Sequence, residues 1–444
     1  MLLAGTVVVD DSTVIDDGAV VVAEDRIAAV GPADELTERY PDHERRELDI
    51  IAPGLVQTHV HSVQSPGRGL ADDTDLFEWL EECILPIEAE LTAEELELAS
   101  LLSYVELLEH GTTCCVDHLT VHHSERAFEA AGRVGIRGVL GKALMDRNAP
   151  AGLQEPTEAA LSESRDLIET YHRSRDDRLR YAVTPRFTPT CSEACLRGAR
   201  EVADDYDGVR IHTHASENRS EIETVEDDTG MRNVHWLDEV GLTGDDVVLA
   251  HCVWTDEDER EVLAETGTHV THCPSSNMKL ASGIAPVEDY LDRGINVALG
   301  NDGPPCNNTL DPFTEMRQAS LLGKVEHLDP TATPAATIFD MATVNGARAA
   351  GFDRLGKLEE GWRADLVGLT TDVTRAVPMH DVLSHLVFAA RESDVEFTMV
   401  DGEVLYEEGE VTVVDADAIR EEAREVAADM DLSEARAKAQ DAKP

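Results

Sequence analysis

Apolar runs of four to seven residues recur along the middle of the chain, and longer segments with helical periodicity separate them. Runs of this length between turn signals are typical of buried strands, and segments such as 93–109, 157–174 and 193–203 are typical of helices. The pattern predicts eight strands, at residues 55–61, 112–116, 138–144, 179–183, 209–213, 247–250, 269–272 and 296–299.

Eight β/α units predict an α/β fold, namely a closed (β/α)8 barrel of the TIM type. A doubly wound open sheet is the alternative that the strand count leaves open. The chain has 444 residues, which exceeds the ~250 residues typical of such a barrel and leaves room for a smaller second domain.

Short strand patterns with turn signals lie at both ends of the chain, at 2–9, 19–22 and 26–30 and again at 364–369, 397–400 and 403–406. Neither group can bury a core alone, so we expect both ends to pair into one small β-sandwich domain. The predicted domains are 1–53 and 356–413 for the two parts of this β-domain, 54–355 for the barrel, and 414–444 for an acidic C-terminal helix and tail.

Acidic residues dominate the charge of the chain, with 90 Asp and Glu against 37 Lys and Arg and a formal net charge of −53. Such self-repulsion destabilises a compact state in dilute buffer, whereas at ~1 M salt a Debye length of ~3 Å screens it. The composition therefore predicts a salt-adapted, halophilic protein. The negative charge of the chain also repels polyanions, so we expect no nucleic-acid partner.

The sequence shows neither an apolar run near the ~18 residues of a membrane span nor the features of a signal peptide. We therefore expect a cytoplasmic location and no membrane partner. The eight cysteines include no Cys-x-x-Cys pair, which favours buried free thiols over disulfides or a cysteine zinc site. Barrel enzymes often associate, so we also expect a homo-oligomer.

The first predicted barrel strand ends in His59-Val60-His61. Residues i and i+2 of a strand project from the same face, so both imidazoles can point at one metal ion. One such pair also occurs by chance, and further ligands are needed. Barrel enzymes build their sites at the carboxyl ends of strands, which is where these ligands are expected.

Three other predicted strands end in ionisable residues. His214 and Glu217 follow the fifth strand, His251 the sixth, and Asp302 the eighth. Each residue has a simpler interpretation when taken alone, as a core histidine or a turn aspartate. Their joint position at the carboxyl ends of strands favours a metal site.

We expect His59, His61, His214 and Asp302 to hold one divalent ion. Nitrogen and oxygen ligands without thiolate suit Zn²⁺, with Fe²⁺ as the alternative. Such an ion lowers the pKa of a bound water from ~15.7 to ~7 and so produces hydroxide at neutral pH. A second metal would need a bridging group, and Lys142 on the third predicted strand keeps that option open.

Attack of hydroxide on an sp² carbon also requires proton transfer. Glu217 follows the His214 ligand closely and can reach the attacked ring nitrogen, while Asp302 accepts the proton of the water. His251 is then more useful as an orienting or charge-stabilising group than as a further ligand. The sequence thus predicts Glu217, His251 and Asp302 as catalytic residues.

These motifs together resemble the aminohydrolase branch of the amidohydrolase superfamily. The resemblance is carried by Pro53-Gly-Leu-Val-Gln-Thr-His-Val-His61, His212-Thr-His214-Ala-Ser-Glu217, Ala250-His251-Cys252, His272-Cys-Pro-Ser-Ser-Asn277 and Asn301-Asp302-Gly303. It implies a mononuclear metal site with the four ligands named above, Glu217 as proton shuttle, and His251 in contact with the hydroxide or the substrate.

The resemblance also implies substrate contacts. Glu88 lies in a segment, residues 79–88, that looks like the one by which adenosine-type deaminases hold ribose hydroxyls. A carboxylate can accept hydrogen bonds from two vicinal hydroxyls, although a solvated helix acid looks the same in a sequence. Gln64, Arg186 and Phe187 resemble guanine deaminase residues that contact the purine.

The implied activity is hydrolytic deamination of a purine, above all at the 6-amino group of a 5'-modified adenosine (5'-deoxyadenosine, methylthioadenosine or S-adenosylhomocysteine), with release of ammonia. Guanine deaminase, or a triazine-type chlorohydrolase with the same metal-hydroxide site, is the alternative. A catalytically dead barrel that keeps the metal for structure is a rival of another class, against which Glu217 and Asp302 argue.

Overall fold

The computed structural model describes residues 1–70 and 72–429. The strands are β1 Leu2–Val8, β2 Val14–Ala23, β3 Arg26–Pro32, β4 Arg45–Pro53, β5 Leu55–Val60, β6 Thr112–His118, β7 Arg137–Gly141, β8 Ala143–Leu144, β9 Leu179–Pro185, β10 Arg210–Ala215, β11 Val247–His251, β12 His269–His272, β13 Val297–Leu299, β14 Leu366–Leu369, β15 Val395–Val400, β16 Glu403–Glu407 and β17 Glu410–Val411.

The α-helices are α1 Ala33–Arg39, α2 Leu76–Trp79, α3 Leu85–Glu90, α4 Ala93–Glu109, α5 Ser124–Val134, α6 Thr157–Tyr171, α7 Ser174–Asp177, α8 Glu193–Asp204, α9 Arg219–Thr229, α10 Asn233–Glu239, α11 Glu257–Thr266, α12 Pro274–Lys279, α13 Val287–Asp292, α14 Pro304–Asn307, α15 Pro312–His327, α16 Ala335–Ala342, α17 Val344–Ala350, α18 Val382–Phe388 and α19 Ala416–Asp429. A π-helical turn, Leu80–Ile84, joins α2 to α3, and 3-10 turns occur at Ser62–Gly67, Thr188–Thr190, Thr374–Ala376 and Glu392–Asp394.

Eight parallel strands form the barrel, in the order β5-β6-β7-β9-β10-β11-β12-β13. The two ends of this order meet, because the N–H of Asp302, after β13, donates to the carbonyl oxygen of His59 on β5 at 2.9 Å. The Thr58 hydroxyl donates to the carbonyl oxygen of Leu299 across the same seam at 3.1 Å. The predicted (β/α)8 barrel is therefore confirmed, and the open doubly wound sheet is excluded.

Burial on both faces explains why the barrel strands are apolar runs. All residues of β11, for example, are buried, since helices cover the outside of the barrel and side chains fill its interior. The covering helices begin at capping residues. Thr92 and Glu95 form a reciprocal capping box at the start of α4, and the Ser192 hydroxyl accepts the N–H of Cys195 at the start of α8.

Strands from both chain ends form one sheet, in the order β17-β16-β15-β14-β4-β1-β2-β3. The sheet folds back on itself as in a sandwich, so that the turn after β15 touches the turn after β2. Gly402 is required there, because its φ is 77° and a Cβ atom would stand 2.0 Å from the carbonyl oxygen of Glu24. Val20, Leu366 and Phe397 pack in one cluster between the halves, which confirms a small β-domain built from both ends.

A buried ion pair joins the barrel to the β-domain. Arg137 of β7 donates to Asp365 at 2.8 Å and to Asp401 at 2.5 Å, and the side chains of Arg137 and Asp365 are 0% exposed. The guanidinium also lies 5.0 Å from the ring centre of Phe352. A charge this deeply buried depends on its partners, so these contacts fix how the two parts meet.

Helix α19 packs on α4, where Arg420 and Glu109 form an ion pair at 2.9 Å. The remainder of the predicted acidic tail, 430–444, lies outside the described residues. The predicted domain boundaries at residues 53, 355 and 413 stay predictions. All eight cysteines are buried and free, as expected, and no helix in the described ranges has the length and apolar character to cross a membrane.

Candidate active site

The carboxyl ends of three barrel strands bring the four predicted metal ligands together. His59 is in β5 and His214 in β10, while His61 directly follows β5 and Asp302 lies three residues after the end of β13. Nε2 of His61 lies 3.1 Å from Nε2 of His214, and Oδ1 of Asp302 lies 3.3 Å from Nε2 of His59 and 3.5 Å from Nε2 of His61. All four side chains therefore surround one small volume.

The hydrogen bonds of two imidazoles test whether this volume fits a cation. Nδ1 of His61 donates to the carbonyl oxygen of His118, and Nδ1 of His214 donates to that of Arg186, both at 2.6 Å. A carbonyl oxygen only accepts, so the two Nε2 atoms present lone pairs to each other. Burial, and then the charge of His59, hold the pKa of both imidazoles well below the ordinary value, so neither takes a second proton and both are neutral. Facing lone pairs fit a bound cation.

A third imidazole supports the same conclusion. Nε2 of His59 is buried and has no hydrogen-bond partner among the described residues. Burying such an atom without a partner is costly, and a metal ligand bond would satisfy it. Cys273 and His251 also bring donor atoms within 4.8 Å of His59. Burial raises the pKa of the Cys273 thiol well above its usual value, so this protonated sulfur is a poorer ligand than the imidazoles.

Asp302 is held as an ionised carboxylate. Burial alone would raise its pKa, but the close contact with Nε2 of His59 and the neighbouring His251 hold that pKa well below the ordinary value. The Ser276 hydroxyl donates to Oδ2 at 2.6 Å, and the Gly303 N–H donates to Oδ1 at 2.7 Å. Asp302 has a φ of 63° and His251 a φ of 71°, a conformation that is uncommon for residues other than glycine and recurs at functional sites.

Glu217 and His251 stand beside the ligand group. Oε2 of Glu217 lies 3.6 Å from Nε2 of His251, and that nitrogen lies 3.8 Å from Oδ2 of Asp302. Nδ1 of His251 donates to Oδ1 of Asn277 at 2.9 Å, which directs Nε2 toward the cavity. Burial raises the pKa of Glu217 to about 7. A carboxyl group that titrates near neutral pH can both give and take a proton.

The residues that the sequence predicts as substrate contacts fall into two groups. Arg186 and Phe187 line the cavity, whereas Glu88 binds Arg186, Gln64 binds Glu88, and neither Glu88 nor Gln64 belongs to the described lining. Oε2 of Glu88 accepts a hydrogen bond from Arg186 at 2.6 Å, and its Oε1 accepts one from Gln64 at 2.8 Å. The described residues that line the cavity are His61, Leu76, Trp79, Leu80, Arg186, Phe187, His214, Glu217, His251 and Asp302.

Comparison with known proteins identifies the family. Residues 50–405 match the amidohydrolase family. The chain belongs to this family. Residues 18–42 also match an imidazolonepropionase-like composite domain of bacteria. The predicted resemblance and the predicted hydrolase class are thereby confirmed, and the family is metal-dependent.

Relatives of this amidohydrolase cover nearly its whole length. The 5'-deoxyadenosine deaminase of Methanopyrus kandleri is 38% identical over 93% of this chain and 94% of its own. The 5-methylthioadenosine/S-adenosylhomocysteine deaminase of Syntrophobacter fumaroxidans is 42% identical over 90% of each chain. Their names agree with the predicted deaminase activity.

Two solved structures are similar to this amidohydrolase. An adenosine deaminase of Xanthomonas campestris with bound zinc is 31% identical, with a TM-score of 0.89 over 96% of this chain and 97% of its own. The guanine deaminase of E. coli is 28% identical, with a TM-score of 0.86 over 91% of this chain and 99% of its own.

Several site residues of the amidohydrolase carry no recognisable signal in the sequence. Leu76 and Leu80 cover the cavity from α2 and the following π-helical turn, a feature that recurs at functional sites. As apolar helix residues they look like any core position. Lys142, considered as a bridging ligand, instead pairs with Glu155 and lies 3.4 Å from Glu163, so the structure gives it no place among the metal ligands.

Proposed function

We propose that this amidohydrolase is a metal-dependent aminohydrolase that deaminates a purine, at the 6-amino group of a 5'-modified adenosine. The observation that carries the proposal is the position of Glu217, a buried carboxyl group with a pKa of about 7, next to converging imidazoles and an ionised aspartate. The names of the two relatives supply the substrate class: 5'-deoxyadenosine, methylthioadenosine or S-adenosylhomocysteine.

His59, His61, His214 and Asp302 would hold the metal. Their nitrogen and oxygen donors suit Zn²⁺, with Fe²⁺ as the alternative, and the Xanthomonas structure contains zinc. Such a cation supplies Lewis-acid chemistry, which lowers the pKa of water from ~15.7 to ~7 and makes it a nucleophile at neutral pH.

The protein's own groups move the protons. Asp302, with His251 at 3.8 Å, accepts the proton of the attacking water. Protonated Glu217 donates to ring nitrogen N1 as the C6–O bond forms, which prevents a negative charge from building up on the ring. Asp302 then passes the proton that it took from the water to the exocyclic amino group. The C6–N bond breaks and ammonia leaves as the new C6–OH group returns its proton to Glu217 and becomes the product carbonyl. Ser282 donates to Oε1 of Glu217 at 3.2 Å and keeps Oε2 toward the cavity.

Walls of the cavity position the ring. Phe187 and Trp79 supply aromatic surface and Arg186 a planar group of donors for ring nitrogens. The cavity has about 20 Å³ of free space, which is room for about one water molecule. A purine is larger than this space, so its binding requires the lining residues to rearrange.

Guanine deaminase is the second candidate function, and the Glu88–Arg186 contact favours it. Both oxygens of Glu88 accept hydrogen bonds, from Arg186 and from Gln64, and Glu88 is not part of the described lining, so its carboxylate faces these two residues and not a bound ribose. Arg186, Phe187 and Gln64 are the residues that resemble purine contacts of guanine deaminases, and the E. coli enzyme has a similar structure. A triazine-type hydrolase with the same metal site belongs to this alternative as well.

The test is ammonia release in high salt from 5'-deoxyadenosine, methylthioadenosine, S-adenosylhomocysteine, adenosine and guanine, with metal analysis of the same sample. Turnover of the 5'-modified adenosines above guanine supports the first proposal. Guanine turnover alone selects the second, and ammonia from none of these purines refutes both purine activities and leaves the triazine-type hydrolase and the catalytically dead barrel.

We also propose the salt conditions, the location and the partners of the enzyme. A net charge of −53 supports a salt-adapted, halophilic protein of the cytoplasm whose partners are small purines and further copies of itself, not nucleic acid or membrane. Light scattering in 2 M KCl tests the proposed homo-oligomer, and a monomer at micromolar concentration would refute it.

A further inference from the structure

Three buried imidazoles form a continuous chain that begins at the ligand His59. Its Nδ1 lies 3.1 Å from Nε2 of His212, and Nδ1 of His212 lies 3.2 Å from Nδ1 of His118. All three residues are 0% exposed. His118 ends β6 and His212 lies in β10, so the chain crosses the barrel interior behind the metal ligands.

Metal binding fixes the direction of every hydrogen bond in this chain. Nε2 of His59 faces the ligand group and must present a lone pair to a cation, so its proton lies on Nδ1 and is donated to Nε2 of His212. His212 then carries its proton on Nδ1 and donates it to Nδ1 of His118. His118 consequently holds its own proton on Nε2, an atom that has no partner among the described residues.

The same residue also holds a second ligand. The backbone carbonyl oxygen of His118 accepts the Nδ1 proton of His61 at 2.6 Å. His118 therefore orients His61 directly, through its backbone, and His59 indirectly, through His212. Two of the three imidazole ligands thus depend on one residue at the end of β6.

A packing role alone does not account for these side chains. Burying a polar group costs free energy unless it is hydrogen-bonded, and apolar residues would fill a barrel interior without that cost. The imidazoles of His212 and His118 instead continue the hydrogen-bonded chain that begins at His59. Nε2 of His118, the last nitrogen of this chain, has no hydrogen-bond partner among the described residues.

We propose that His212 and His118 are positioning residues that fix the tautomer and orientation of His59 and thereby set the affinity of the metal site. The inference rests on the proposed function only in taking His59 as a metal ligand. Partners of this kind typically change metal affinity by 10- to 100-fold when they are removed.

The experiment compares two replacements at one position. His212→Phe removes the acceptor for Nδ1 of His59, whereas His212→Gln keeps an amide oxygen that can accept the same proton. Zinc affinity is measured on the full-length protein in high salt by competition with a chromogenic chelator. We expect the Phe variant to bind zinc at least 10-fold more weakly than the wild type and the Gln variant to recover most of that loss.

His269→Phe is the matched control. His269 is another buried barrel imidazole, in β12, and it bonds to the carbonyl oxygen of Asp245 instead of to the chain. We expect it to keep wild-type zinc affinity even if its Tm falls. Should His212→Phe not fold, His118→Leu and His118→Asn give the same comparison, because Asn keeps an acceptor for His212.

Two results would overturn the inference: zinc affinity of His212→Phe within twofold of the wild type, or equal losses in the Phe and Gln variants. Because the measurement is metal binding, it is independent of purine turnover. If no purine is deaminated and the affinity order still holds, the proposed function fails and the positioning role stands.

Discussion

Glu88 and Arg186 form a buried ion pair in which Oε2 accepts from the guanidinium at 2.6 Å, with side-chain exposures of 0% and 3%. Arg186 lines the cavity and Glu88 stands behind it. The motif resemblance assigns Glu88 to ribose hydroxyls, but in this geometry it orients Arg186. A carboxylate that acts through an arginine affects every substrate which that arginine contacts.

Glu88→Gln is therefore expected to lower kcat/KM for nucleosides and for free purine bases alike. Removing one charge leaves Arg186 buried without its counter-ion, a change that costs about 2–5 kcal/mol in comparable pairs. Paired measurements with 5'-deoxyadenosine and with guanine or adenine check this. A loss confined to the nucleoside would restore the ribose role, and Glu82→Gln, at a half-exposed position in the preceding turn, is the control.

Glu217→Gln is expected to keep the metal and lose turnover by about 10²–10⁴-fold, because the amide cannot shuttle a proton. The variant should bind zinc with wild-type stoichiometry, measured by elemental analysis alongside ammonia release. Glu223→Gln, at an exposed position in α9, is the matched control. Activity of the Glu217 variant within fivefold of the wild type would remove the residue from the mechanism.

The barrel and the meeting of the candidate metal ligands could be predicted from the sequence because both depend on local patterns. Buried strands are short apolar runs, and the candidate ligands His59 and His214 lie one residue before the ends of such runs. The prediction ended the second strand at residue 116, whereas β6 continues to His118. The predicted strand stopped there because Asp117 and His118 are polar. Asp117 is nevertheless buried, because its carboxylate accepts hydrogen bonds from the Tyr104 hydroxyl at 2.7 Å and the Ser62 N–H at 3.1 Å.

Contacts between distant residues could not be predicted in this way. Glu88 and Arg186 are 98 residues apart, and His59 and His212 are 153 apart. Nothing in either local sequence distinguishes a carboxylate that faces a substrate from one that faces an arginine. The substrate contacts and the imidazole chain therefore required the three-dimensional structure.

Arg137→Met is expected to lower the free energy of unfolding by about 3–5 kcal/mol, because it leaves the buried charge of Asp365 uncompensated, while Asp401 keeps its ion pairs with Arg178 and Arg363. Urea denaturation in 2 M KCl measures the change. Arg133→Met is the control. Arg133 pairs with Glu97, but its side chain is 52% exposed, and such a surface ion pair contributes about 0–1 kcal/mol to the free energy of unfolding. Equal effects of the two substitutions would contradict a joining role for Arg137.

Salt is expected to stabilise the whole fold. With a net charge of −53, repulsion between carboxylates opposes the compact state in 50 mM salt and is screened in molar KCl. Tm should therefore rise steadily from 50 mM to 3 M KCl. Equal Tm values in 100 mM and 3 M KCl would refute salt adaptation, and NaCl at matched ionic strength separates screening from a specific effect of potassium.

Glu315 gives the stability of the fold a defined pH dependence. Burial raises its pKa from 4.5 to about 8, although Asn307 donates to the carboxylate at 2.9 Å and the Ser275 N–H at 3.2 Å. The folded state therefore binds the proton more tightly than the unfolded state. This contribution to stability is complete below pH 4.5 and is lost as the pH rises to about 8, at up to about 1.4 kcal/mol per pH unit.

Glu315→Gln stays neutral, so its free energy of unfolding should rise relative to the wild type between about pH 5 and pH 8. Urea titrations across that range measure the difference, and Glu326→Gln, exposed on the same helix, should run parallel to the wild type.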